Sequence, residues 1–351
     1  MSLSLTKPPD RAELNNGMAN PCKAGLDKFQ EWLWPILALQ FVLAIAGNGF
    51  AIYRFVAHER SPWHSGIIYA FNLAVSDLLY AISLLPLAIY YYPEKDWRYG
   101  LVFCKLDRFV FFCNLYGSTF FVACISLNRY VAIVHPFFAH GRLEPRHATA
   151  LSGAVWLLVA AISAPVLSFS TTEFKNGTVA NSPNRTECFG SASDGNLPQY
   201  WPYSLFLLVF GCLLPFLLTA VSCGAILHTV LRNQNITTAE KSKVKALVCA
   251  VVALYALSYL PFHILRNLNL RMRMVDSKDC SVRRLIYILY QLAKIMVHFH
   301  ICIHPLIYAA LADNLQEYCC RGSRRRRDTG EKGVPLRLCD QAPPGEPQSQ
   351  G

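Results

Sequence analysis

Apolar residues run along this chain in seven blocks, at about 34–57, 67–91, 102–134, 148–169, 202–230, 243–268 and 285–310, separated by polar segments. Each block holds roughly 20 residues or more, enough to cross about 30 Å of hydrocarbon at 1.5 Å per helical residue. Backbone N–H and C=O groups find no partners in lipid, so a spanning segment is a helix unless strands close into a barrel. The pattern predicts an all-α membrane protein, a seven-transmembrane helix bundle with a short amphipathic eighth helix. An odd number of crossings puts the chain ends on opposite sides. The expected divisions are an extracellular N-terminus over 1–33, the bundle over 34–310, a juxtamembrane helix over 311–322 and a disordered cytoplasmic tail over 323–351. Residues 1–33 lack the basic start and apolar run of a signal peptide, so the first span is expected to direct insertion.

Composition agrees with a chain in lipid: only 16% of residues are charged, where a soluble domain carries about a quarter. Lys and Arg divide almost evenly between the two sides, so they do not set the orientation. Other features do. The sequons Asn176-Gly177-Thr178 and Asn184-Arg185-Thr186 lie between the fourth and fifth spans, which suits glycosylation outside the cell. A third, Asn235-Ile236-Thr237, would then face the cytoplasm and stay unmodified. Cys319 and Cys320, with the run Arg324 to Arg327, follow the seventh span. They suit palmitoylation and contact with anionic membrane lipid at a cytoplasmic surface. Together these features place the N-terminus outside a plasma membrane. Four of the 13 cysteines, Cys22, Cys104, Cys188 and Cys280, then face the oxidising side. They imply two bridges in any of three pairings.

Ionisable groups inside a bilayer are expensive and usually face the bundle interior. Asn48, Asp77 and Ser118 fall midway along the first three spans. Arg129 lies about 25 residues past Cys104 on the third span, roughly 37 Å away at helical rise. Pro215, Pro261 and Pro305 punctuate the last three spans and allow bends there. Near the outer ends, Arg108 shares the third span with Phe111, Phe112 and Tyr116. His263 and Arg266 are three apart on the sixth, and Tyr287, Gln291 and Lys294 form one stripe on the seventh. Three cations on three helices, with Asp107 the near acid, repel one another in a low-dielectric pocket. An anionic ligand would resolve that frustration. From Arg266 to Arg284 six Lys or Arg face two Asp, a local +4, which would speed the arrival of a polyanion. Snorkelling to headgroups suits Arg283 and Arg284 but not Lys294, about two turns inside its span.

Taken in order, Gly47-Asn48, Leu73-Ala74-Val75-Ser76-Asp77, Cys104 with Cys188, Asn128-Arg129-Tyr130, Trp156, Pro215, Pro261 and His304-Pro305-Leu306-Ile307-Tyr308 resemble the motifs of rhodopsin-like receptors. That resemblance implies a bridge between Cys104 and Cys188. It also implies a G-protein-facing set, Asn128, Arg129, Tyr130, His304, Pro305 and Tyr308, that rearranges on activation. Three departures stand out. Asn128 replaces the usual acid before the arginine, His304 replaces the usual Asn or Asp before the proline, and Lys241 stands where the sixth span often carries an acid. His304 is expected to hydrogen-bond Asp77 or oppose a sodium ion there.

Pro261-Phe262-His263 with Arg266, Gln291 with Lys294, and Arg108 are similar to the signature of the metabotropic purinergic nucleotide receptors. The resemblance implies that these positions hold a phosphate chain and that Cys22 bridges Cys280. Ser126 to Tyr130, His135-Pro136-Phe137-Phe138 and Asp96 to Gly100 look closest to an ATP-preferring subtype acting through phospholipase C and adenylyl cyclase. Some members carry an acid two residues after the loop cysteine, where this chain has Gly190. The expected partners are therefore an extracellular nucleotide, with ATP first, a heterotrimeric G protein and membrane lipid, but no nucleic acid polymer. The alternative is a receptor for an anionic lipid or carboxylate metabolite. A transporter or channel would bring internal repeats and paired intramembrane charges, which are not seen. Neither a nucleophile–base pair nor metal-ligand spacing appears, so no enzyme, metal or cofactor is expected.

Overall fold

The structure, a computed structural model, describes residues 32–58, 63–92, 95–139, 144–175, 185–190, 194–275 and 279–328, with side chains in the last segment as far as Ile307. Cys22, Asn176 and Asn184 lie outside the described residues, as do the side chains of Tyr308, Cys319 and Cys320. Among the described residues, seven helices are long and apolar enough to span a bilayer: α1 Leu33–Ala57, α2 Ser65–Tyr90, α3 Gly100–Val134, α4 Pro145–Phe169, α5 Leu197–Arg232, α6 Thr238–Val275 and α7 Cys280–Ile307. Helical backbone continues from α7 to Asp328, through the interval where the sequence predicts a separate juxtamembrane helix.

Each span sits on its apolar block, but α5, α6 and α7 overrun theirs. Hydropathy marks the part of a helix that meets lipid, whereas helix ends are set by capping. At the start of α6, Thr237 and Glu240 form a reciprocal box. The Glu240 carboxylate accepts the Thr237 N–H at 2.9 Å, and the Thr237 hydroxyl accepts the Glu240 N–H at 3.3 Å. These polar residues continue the helix beyond the hydrophobic run.

Between α4 and α5 the chain forms an antiparallel ribbon, β1 Thr171–Lys175 with β2 Arg185–Phe189, in which Thr172 faces Cys188. Apolar runs gave no sign of it. The Cys104–Cys188 disulfide holds β2 over the end of α3, with Cα atoms 5.8 Å apart. The segment before α3 pins the ribbon further. Asp96 accepts the Thr186 N–H at 3.0 Å, the Trp97 N–H donates to the Thr186 carbonyl at 2.8 Å, and Lys95 pairs with Glu187 at 3.2 Å. Burial pushes the Asp96 carboxyl up, but the Thr186 N–H and the Arg98 guanidinium outweigh it and hold the group below its ordinary value.

Prolines fix how the helices pack. Pro215 has no N–H to give to the Gly211 carbonyl, and the backbone ahead of it widens into a π turn over Leu207–Leu213. The Gly211 carbonyl instead accepts the Thr119 hydroxyl at 3.0 Å, and the neighbouring Cys212 carbonyl accepts the Tyr255 hydroxyl at 3.0 Å. The bulge thus ties α5 to α3 and α6. Pro305 likewise frees the Ile301 carbonyl, which accepts the Asn48 amide at 3.0 Å. A Cβ on Gly47 would lie 3.0 Å from the Pro305 ring, so the glycine permits that approach of α1 to α7.

Candidate functional site

At the disulfide end of the bundle, α3, α6 and α7 converge on a buried aromatic cluster. Arg108 lies one turn along α3 from Cys104, and its Nε sits 3.7 Å from the Asp107 carboxylate, with both groups buried. The site's shape around Arg108 is tight: a Cβ on Gly190 would come within 2.6 Å of its Cδ. Gly190 therefore lets the loop backbone lie directly on the arginine.

Arg266 on α6 is 3% exposed, and its guanidinium lies 4.5 Å from the Phe112 ring centroid and 5.4 Å from that of Tyr200. Its Nη2 donates to the Tyr200 hydroxyl, while its Nη1 has no hydrogen-bond partner among the described residues. His263, one turn away, is fully buried with both ring nitrogens in the same condition. Its ring leans on Tyr116 at 5.8 Å, and Tyr116 stacks on Phe112 at 6.0 Å.

On α7, Gln291 donates to the Tyr287 hydroxyl at 2.8 Å, and the Lys294 ammonium lies 6.0 Å from the Phe111 ring centroid. All nine candidate ligand-binding residues read from the sequence thus belong to one connected cluster or the α7 stripe that borders it. Sequence reading missed Tyr200, Tyr80 and His298. Tyr80 and His298 hydrogen-bond to each other and pack on Phe111, with centroids at 5.6 and 5.4 Å. A signal existed for two of them: His298 extends the Tyr287, Gln291, Lys294 stripe by four, and Tyr200 extends the buried face of α5 back from Ser204.

Midway along the bundle, both Asp77 oxygens are engaged by the protein. Asn114 donates to Oδ1 at 2.9 Å and Ser118 at 3.2 Å, while the His304 Nδ1 meets Oδ2 at 2.6 Å. The expected contact between His304 and Asp77 is present, and it joins α7 to α2 near the Pro305 bend. His300 packs on His304 with centroids 4.3 Å apart. Toward the Arg129 end, a cavity of about 70 Å³ is lined by Arg129, Ser126, Tyr255, His300, His304 and aliphatic side chains from α2, α3, α5, α6 and α7. Tyr130 beside it meets His135 at 3.0 Å. Lys241 at the foot of α6 donates to the Leu231 carbonyl at 2.9 Å, closing the α5–α6 turn. Cys280 is disulfide-bonded; its expected partner, Cys22, is outside the described residues.

Seven spans, a bridge from the third span to the following loop, and polar residues that knit bent helices at the midplane define a class. The family model described as 7 transmembrane receptor (rhodopsin family) matches residues 47–308. The chain belongs to that family, as a multi-pass G-protein-coupled receptor rather than an enzyme. Within it, the chain belongs with the metabotropic purinoceptors. It is 44% identical over 351 residues to purinoceptor 11 of Homo sapiens, covering 93% of each chain. It is 34% identical over 317 residues to purinoceptor 1 of Gallus gallus, covering 89% of this chain and 85% of that one. To purinoceptor 1 of Bos taurus it is 33% identical over 323 residues, covering 90% and 84%.

Proposed function

We propose that this receptor is activated by an extracellular nucleotide, ATP first, and signals through a heterotrimeric G protein to phospholipase C and adenylyl cyclase. The carrying observation is a surplus of buried donors. Arg266 Nη1, Arg108 Nε and the one N–H of a neutral His263 ring lack hydrogen-bond acceptors among the described residues, and Lys294 adds a third cation. Asp107 is the carboxylate that pairs with this set. A phosphate chain supplies several charged acceptor oxygens at once, and arginine forks fit such oxygens well. Phe111, Phe112 and Tyr116 offer faces for the base. In this reading the disulfide end and the N-terminus face outward, and the Arg129 cavity faces the cytoplasm.

Phosphates draw Arg108, Arg266 and Lys294 together, so α3, α6 and α7 close around the ligand. Closure bends α6 near Pro261 and opens its other end around Arg129, where the G protein enters. The agonist binds this arrangement more tightly and shifts the population toward it.

The test is expression in cells without endogenous nucleotide receptors, recording calcium and cyclic AMP against ATP, ADP, UTP and UDP. Arg266→Ala and Lys294→Ala run beside wild type at matched surface levels. A rightward shift of about tenfold or more for ATP, equivalent to about 1.4 kcal/mol, supports the phosphate clamp. Silence toward every nucleotide, with receptor at the surface and G protein supplied, refutes it and favours an anionic lipid or carboxylate.

A further inference from the structure

Tyr200 is fully buried at the start of α5, where its ring packs on Phe169 at 5.1 Å and Tyr203 at 5.9 Å. These contacts and its neighbours Leu197 and Leu270 hold the ring whatever the hydroxyl does. The hydroxyl has two jobs. It accepts from Arg266 Nη2, and it donates to the Gly190 carbonyl at 3.4 Å. Gly190 is the residue that lies on Arg108, two positions after the bridged Cys188. A single phenol oxygen therefore links an arginine of α6, through the loop backbone, to the arginine of α3.

We propose that Tyr200 is a positioning residue whose hydroxyl tethers the α4–α5 loop to Arg266 in the ligand-free receptor and stands where a phosphate oxygen sits when ligand binds. The first half rests on geometry alone; the second rests on the nucleotide reading above. A phenol is a neutral acceptor, whereas a phosphate oxygen is charged and forms the stronger bond to a guanidinium. Exchange of one for the other is favourable, and it frees the hydroxyl from Arg266. The tether thus spaces Arg108 and Arg266 before ligand arrives and satisfies part of the Arg266 guanidinium, which would otherwise be buried with a further unpaired donor. It also opposes binding, because the ligand must displace it.

Tyr200→Phe separates these roles, since it keeps the ring and removes the hydroxyl. The first measurement is hydrogen–deuterium exchange of residues 185–190 in purified, ligand-free full-length receptor. Exchange there is expected to rise by about two- to tenfold, the range for loss of one neutral hydrogen bond. Unchanged exchange overturns the tether. The second is the ATP concentration–response curve at matched surface expression. Potency is expected to increase by roughly two- to tenfold in Tyr200→Phe, and the gain should vanish when Arg266→Ala is already present. Unchanged or reduced potency, or an equal gain without Arg266, overturns the exchange of phenol for phosphate. If wild type answers no nucleotide, the nucleotide reading fails and the placeholder half falls with it, while the exchange data still decide the tether.

Discussion

Replacing His304 by alanine removes the donor that meets Asp77 Oδ2 at 2.6 Å and leaves Oδ1 with Asn114 and Ser118. Asp77 and His304 are 0% and 1% exposed, so bulk water does not replace the lost partner. A hydrogen bond to a charged group contributes about 1.5–3 kcal/mol, and His304→Ala should lower stability by that amount. The vacated space beside a carboxylate then suits a small cation. A cation at ten times its Kd restores RT ln 11, about 1.4 kcal/mol. The assay is thermal unfolding of purified receptor in sodium chloride against choline chloride, both at about 0.15 M ionic strength. Wild type should unfold at the same temperature in both salts. His304→Ala should be less stable in choline and recover part of the loss in sodium. If sodium stabilises wild type as strongly as the variant, or if the variant loses nothing, the imidazole is not the carboxylate's working partner.

Gly211→Ala would place a Cβ within 2.5 Å of the Tyr116 ring, and overpacking of this kind costs about 1–3 kcal/mol. Thermal stability and ATP potency should both fall, while Gly153→Ala, with nothing within 4 Å, serves as the neutral control. Asn48→Leu should destabilise by about 1–3 kcal/mol, because the Ile301 carbonyl freed by Pro305 loses its donor; chemical-denaturant or thermal melts read this directly. His64 is held down to about 4 by burial and then by the charge of Arg129. Its folded pKa lies below the unfolded value of about 6.5, so its contribution is complete above that pH and is lost as pH falls toward 4. The loss reaches on the order of 3 kcal/mol, and His64→Gln should flatten the pH dependence of the melting temperature over that window.

The seven helices were legible because lipid demands long apolar runs and internal hydrogen bonding at once. Their ends were less so. Thr237 and Glu240 start α6 through capping chemistry that hydropathy does not register, and the polar turns near Val275 continue the helix past the apolar block. The β1–β2 ribbon escaped notice because its register depends on the Cys104–Cys188 bridge and on Asp96, which are distant in sequence. In the pocket, cations stood out because charge is conspicuous in an apolar run. Tyr200 did not, since an aromatic residue just outside a span looks like an interfacial anchor. Only the fold shows its hydroxyl between Arg266 and Gly190. The Asp77–His304 contact was readable only through the resemblance to rhodopsin-like receptors, whose motif order brings the two to one midplane site.

The most direct test of a phosphate clamp is the potency series ATP, ADP, AMP and adenosine, measured in wild type, Arg266→Ala and Lys294→Ala at equal surface expression. If the cations hold phosphates, potency should fall as phosphates are removed, adenosine should be inactive, and each variant should compress the series by weakening its most highly phosphorylated members most. Adenosine as potent as ATP, or a series with the same steps in all three receptors, would contradict it.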